Sequence, residues 1–201
     1  PDLPAGAKEQ HPHSWREATA GAIRQALRQA KAVAAEVVAI GVSGQQHGFV
    51  PLDKNGEVIR PAKLWCDTTT AEECEEIMAA HGGLKGTIKK QGIGVVTGFT
   101  APKILWLKKH EPKNFAKLAT VLLPHDYLNF WLTGERVMEY GDASGTALLD
   151  VRSRKWCAAA LKAAILPEAM RIATTDRPSR STGAASGSPS TRQAGTVALR
   201  R

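Results

Sequence analysis

Residues 37–48 read VVAIGVSGQQHG, an apolar β-branched run that gives way abruptly to a polar loop flanked by glycines. Val37, Val38, Ala39, Ile40, Gly41 and Val42 offer no polar face. A strand of that kind is covered on both sides, as in the interior of a sheet between helices. The loop Gly44-Gln45-Gln46-His47-Gly48 then falls at the end of a buried strand, where open α/β sheets gather their ligands.

Working outward, the chain alternates helical and extended patterns. Ser14-Trp15-Arg16-Glu17 has capping-box spacing, and Trp15, Ala18, Ala22, Leu27, Ala30 and Ala34 recur at helical intervals, predicting a long Ala-rich helix to about Ala35. Downstream, Phe49–Leu52 continues extended and turns at Asp53-Lys54-Asn55-Gly56, whose Asn-Gly step is a strong hairpin signal. Lys63–Asp67 reads as another strand, and Thr70 with Glu73 is expected to cap a helix over 71–80. A Gly-rich separator follows at 82–98. Helices are then expected over Lys103–Lys109, from Pro112 to about Ala119, over Tyr127–Leu132 up to Gly134, and around Trp156–Ala163. Val121–Leu123 and Ala147–Val151 read as strands. The expected class is α/β.

Composition divides the chain. Its 201 residues carry a formal charge of +8, yet 171–201 alone holds six Arg and one Asp, a net of +5. That segment has no aromatic residue and no Lys, and Ser, Thr, Gly and Pro fill 15 of its 31 positions. Such a sequence cannot bury enough apolar surface to offset its ordering entropy. The expectation is a domain over 1–170 and an unstructured basic tail over 171–201. A binding protein that uses this tail on nucleic acid is the rival reading, disfavoured because phosphate readers interleave Lys and aromatics. Cys66, Cys74 and Cys157 have no metal-ligand spacing, which suggests ordinary thiols in a reducing cytoplasm. No apolar run is long enough to span a bilayer.

Three loops qualify as chemistry. Gln46 and His47 present amide and imidazole groups, which pair with hydroxyls as both donor and acceptor, so a polyol is a natural partner; a hydrogen-bonded turn is the bland alternative. Trp65 and Asp67 place a flat apolar face beside a carboxylate, as in sugar sites, although a lone core Trp is commoner. Tyr140–Thr146 carries Asp142 in a polar loop, or in a plain helix-to-strand connection. Other motifs fail. Gly41-Val42-Ser43-Gly44-Gln45 has Gln where a nucleophile elbow needs Gly, no Walker A loop exists, and Gly92-Ile93-Gly94 lacks the third glycine of a dinucleotide fingerprint. His11-Pro12-His13 is at best a weak metal site.

Five blocks in series carry a resemblance: SGQQHG at 43–48, RPAKLWCDTTTAEECEEI at 60–77, GFTAPKILWLKKHEP at 98–112, LLPHDYLNFWLTGE at 122–135 and EYGDASGTALLDV at 139–151. Over residues 8–168 the chain resembles the N-terminal domain of the FGGY carbohydrate kinase family, above all its xylulose-phosphorylating bacterial members. The resemblance implies a ribonuclease-H-like, actin-type domain, incomplete at its N-terminus, from an enzyme that moves the ATP γ-phosphoryl group, with Mg²⁺, to D-xylulose. Ribulose and glycerol are the alternative polyols. It further implies that Gln46 and His47 contact the pentulose, that Trp65 lies along its carbon chain, and that Asp67 sits near its hydroxyls. Asp126 and Asp142 are implied near the cleft floor. The family's Asp-x-Gly-Thr phosphate turn should precede Pro1 and its catalytic Asp should follow residue 170, so no catalytic residue is expected here and at most sugar binding. Ile93 stands where the family usually has the Asn of a Gly-Asn pair.

Overall fold

Residues 3–164 and 173–175 are described by the computed structural model. The strand β1 (Glu9–Gln10) leads into α1 (Pro12–Ala30). This helix begins ahead of the expected capping box. Pro12 suits a first helical turn, and His11 caps the helix through Nδ1, which accepts from the His13 N–H at 3.3 Å. The Ser14 hydroxyl instead donates back to the His11 carbonyl at 2.8 Å.

The largest departure follows. After a 3₁₀ turn at Ala34–Glu36, residues 37–42 form no strand, and Val38 and Ile40 stand 68% and 37% exposed. The expected buried interior strand is therefore corrected. A strand needs a ladder partner as well as apolar side chains, and no described strand pairs with this run.

Regular structure resumes with β2 (Val50–Leu52), then the predicted turn, where Asp53 Oδ1 accepts from the N–H groups of Asn55 (2.8 Å) and Glu57 (2.9 Å) and Gly56 takes φ 85°. After β3 (Ala62–Lys63), α2 (Ala71–Ala80) occupies the expected span. Its capping differs: the Thr70 hydroxyl donates to the Thr97 carbonyl, and buried Glu73 pairs with Lys109 at 2.8 Å. The stretch expected as a separator contains α3 (Gly83–Gln91), bounded by left-handed Gly82 and Gly92. Next come α4 (Thr100–His110), α5 (Pro112–Phe115), β4 (Thr120–Leu122) and α6 (Pro124–Thr133), which stops at left-handed Gly134. The remainder is β5 (Val137–Glu139), α7 (Tyr140–Ser144), β6 (Leu149–Asp150), β7 (Lys155–Trp156), α8 (Ala158–Ala163) and β8 (Ala173–Thr175). Within the segment read as a tail, β8 thus pairs in parallel with β5; the rest of 171–201 lies outside the described residues.

Among the described residues the strands form four two-stranded ladders, of which β2–β4 is central. Side chains alternate across it. Phe49, Val121 and Leu123 face one way, into a core with Ile77, Ile104 and Leu107, while Val50, Leu52 and Leu122 face the other, toward Ala62 and Tyr127. Both faces are apolar and covered, the property that residues 37–42 were expected to have. Each fully buried side chain of this size contributes about 2 kcal/mol.

Candidate functional site

The loop 43–48 is wedged between the first turn of α6, the short helix α7 and the start of α4. Gly44 lies against His125, and Gly48 against Pro124, where a Cβ would come within 2.6 Å of the proline ring. At the centre stands His125. Its Nδ1 faces the Gln45 carbonyl at 3.2 Å, and its Nε2 lies 3.1 Å from Asp126 and 3.0 Å from Asp142. Burial alone would discharge this imidazole, but the two carboxylates outweigh it and push its pKa up to about 10. In return the His125 imidazolium 3.0 Å away holds Asp142 below the usual carboxylate range. Asp126, more deeply buried, is raised by desolvation.

Asp142 is presented by α7, whose N-terminus Glu139 caps by accepting from the Gly141 N–H at 2.9 Å and from the Asp142 N–H. The Gln46 amide nitrogen donates to the Asp142 carboxylate, while Gln46 itself remains exposed. His47 takes φ 61°, an unusual left-handed backbone for a side chain of this kind. Its ring meets Phe99 edge-on at 4.8 Å and rests on Gly145, where a Cβ would lie 2.3 Å from Nε2. Burial lowers its pKa, the Lys103 charge adds to that, and Asp142 opposes it. The neutral imidazole offers one donor and one acceptor nitrogen.

Three of the sequence-derived candidates, Gln46, His47 and Asp142, therefore come together. Trp65 lies in the turn 64–67, which the Asp67 N–H closes by donating to the Leu64 carbonyl at 3.1 Å. It is 57% exposed, and its carbonyl abuts Gly98, where a Cβ would come within 2.8 Å. Asp67 turns inward. Fully buried, its carboxylate accepts from the Lys8 N–H (2.9 Å), the Thr69 N–H (3.0 Å), the Thr69 hydroxyl (2.6 Å) and the Lys63 ammonium (3.1 Å). Burial would raise its pKa, but these partners, the Thr69 hydroxyl first, hold it below the usual range.

Two residues escaped the sequence reading. His125 stood in a Pro-His-Asp step directly after a strand, and only its contact with Asp142 singles it out. Lys103 was the one charge between Ala101 and Leu107. A lysine so placed on a buried helix needs internal acceptors, and that was its signal.

Two cavities of about 290 and 250 Å³ lie elsewhere, between α1 and α6, sharing Arg16 and Trp131. The larger is lined by His13, Arg16, Glu17 and Arg24, and none of the sugar-site candidates from the sequence lines either cavity. Among the described residues no group of three or more His, Cys, Asp or Glu could hold a metal ion. The Asp142 and Glu139 oxygens are engaged by protein donors, so these residues do not fit as a seat for Mg²⁺.

Comparison with known proteins shows the family. The family model described as the FGGY family of carbohydrate kinases, N-terminal domain, matches residues 3–183. The xylulose kinase of Haemophilus influenzae is 46% identical over 155 residues, covering 75% of this chain and 31% of that protein. That of Bacillus subtilis is 41% identical over 152 residues, covering 76% and 30%. A crystal structure of a xylulose kinase from Brucella ovis superposes with a TM-score of 0.80 at 36% identity, over 87% of this chain and 36% of that one. The fold is thus that of the actin-like kinases. The chain spans about a third of the length of the relatives it matches.

Proposed function

The chain belongs to the FGGY family of carbohydrate kinases, and from that premise we propose that it forms the sugar-binding part of an ATP-dependent kinase acting on D-xylulose. The observation that carries this reading is the convergence of Gln46, His47 and Asp142, three groups of complementary hydrogen-bonding type, on one exposed edge. The neutral His47 ring donates to one sugar hydroxyl and accepts from another. Gln46, oriented by Asp142, offers its amide to a neighbouring hydroxyl. Trp65 supplies an apolar face for the C–H side of the carbon chain. Asp67 holds the Trp65 turn from beneath rather than touching the sugar, because four protein donors already surround its carboxylate.

Phosphoryl transfer needs a phosphate cradle, Mg²⁺ and a carboxylate to take the hydroxyl proton. No glycine-rich phosphate loop stands in the sequence, and we assign ATP and Mg²⁺ binding to the two thirds of the relatives that this chain does not span. The three free cysteines fit a cytoplasmic setting.

Calorimetric titration of the 201-residue chain with D-xylulose, D-ribulose and glycerol tests the sugar assignment. Saturable binding of D-xylulose, weaker for the other two and lost in His47→Ala, is expected. Tighter binding of glycerol or ribulose, or no binding at all, overturns it. A coupled ADP-release assay with xylulose and MgATP tests the division of labour, since turnover above background would show that transfer chemistry resides in these residues.

A further inference from the structure

Beyond its charge beside His47, Lys103 has had no role so far, yet it is fully buried in the first turn of α4 with its ammonium aimed at the loop. Nζ donates to the His47 carbonyl at 2.9 Å and to the Gly98 carbonyl at 2.6 Å. The Thr100 hydroxyl, one turn back on the same helix, donates to the same His47 oxygen at 3.3 Å. Two donors from one rigid helix thus meet the carbonyl of the one residue in the loop with a positive φ.

That placement has mechanical content. The left-handed conformation of a non-glycine residue costs of the order of 1 kcal/mol or more and persists only where its surroundings enforce it. Here the Gly48 N–H donates to the Gln46 carbonyl across His47 at 2.7 Å, and the two donors from α4 hold the His47 oxygen of that turn in place. The second acceptor, Gly98, is the residue against which the Trp65 carbonyl packs. A single ammonium therefore ties the segment carrying His47 to the segment backing Trp65. Burial pushes the Lys103 pKa down to about 7, with Asp67 opposing the shift. The neutral amine also donates to both carbonyls, so the tie survives loss of the proton.

We infer that Lys103 is a positioning residue of the sugar site, holding the His47 backbone in the conformation that aims its imidazole and fixing its distance from the Trp65 turn. This inference rests on the sugar-binding reading above. It concerns the aim of His47, however, which can be observed without any sugar.

The test follows His47 directly. In the native protein the edge-on Phe99 ring should displace the His47 ring-proton resonances, which His47→Gln identifies by their absence. Lys103→Met, of similar length and without donors, is expected to move those resonances toward ordinary histidine positions and to weaken D-xylulose binding about tenfold or more, the loss of a charged hydrogen bond. Thr100→Val should shift both in the same direction by less. If Lys103→Met lowers stability while the folded protein keeps native His47 resonances and native affinity, the lysine is only a core residue and the inference falls. If the native chain fails to bind D-xylulose, the functional reading fails and the resonances alone decide the role of Lys103. Should Lys103→Met not fold, Lys103→Gln and Thr100→Val carry the test, and unmoved His47 resonances in both overturn it.

Discussion

Nε2 of His125 stands 3.0 Å from Oδ2 of Asp142, joining the first turn of α6 to α7 through an ion pair that also orients Gln46. The pair has a calculable pH signature. The folded pKa of His125, about 10, lies above the ordinary value of about 6.5, so folding favours the protonated ring. Its contribution to stability is fully present below about pH 6.5 and is lost as the pH rises through about 10. Urea unfolding of the native chain and of His125→Gln between those limits should show a stability gap that narrows with rising pH. A gap independent of pH would mean that His125 is not held as an imidazolium.

Gly145→Ala is expected to weaken binding by the folded protein. Gly145 has φ −75°, which alanine adopts without backbone strain, but the position is buried and the added methyl crowds the His47 ring, so a stability loss of about 1–3 kcal/mol is expected. The new methyl would fall 2.3 Å from His47 Nε2, and the imidazole must swing away. Calorimetry well below the melting transition should show affinity for D-xylulose reduced about tenfold or more; native affinity would show that the ring is free to relocate without consequence.

Asp67→Asn should cost stability but not affinity. Removing a buried charge from its Lys63 partner costs about 3 kcal/mol, read as a lower denaturant midpoint. Because the folded pKa is depressed, the Asp67 contribution is present above the ordinary carboxylate pKa and is lost in acid. Sugar affinity of the folded fraction should remain within about twofold of native. A large loss of affinity without loss of stability would make Asp67 a direct sugar ligand after all.

The exposed run over 37–42, which has no ladder partner among the described residues, should promote self-association, since apolar extended chain is a template for other strands. Val38→Lys combined with Ile40→Lys is expected to reduce light scattering at raised protein concentration. Equal scattering by both proteins would place the association surface elsewhere.

The difference between 37–42 and β2 explains what was legible in the sequence. Both runs are apolar and β-branched, and local pattern cannot tell them apart. Only β2 finds a partner, in β4, a contact between segments distant in the chain. Helices were easier to read because their hydrogen bonds are local: α2 lies over its predicted residues, although its cap does not. The same logic governs the site. Gln46, His47 and Asp142 declared themselves by polarity in loops. Asp67 did so too, but polarity could not reveal that its charge is satisfied from within. Lys103 and His125 act through contacts with residues far along the chain, and their roles became visible only in three dimensions.

The loop 43–48 has unequal ends. Phe49 is fixed at one end by a hydrogen bond from its N–H to the Lys63 carbonyl and by full burial, whereas the other end emerges from chain that has no ladder partner among the described residues. The loop is clamped on the side of β2 and looser on the side of residue 42, with the Gln45 carbonyl against His125 Nδ1 at 3.2 Å between the two. Amide exchange should therefore slow stepwise from residue 42 to residue 49. A sugar that grips Gln46 and His47 must still the looser end, so part of the contact energy is offset by ordering, and anything that clamps residues 37–42 from outside would raise affinity without touching the ligand.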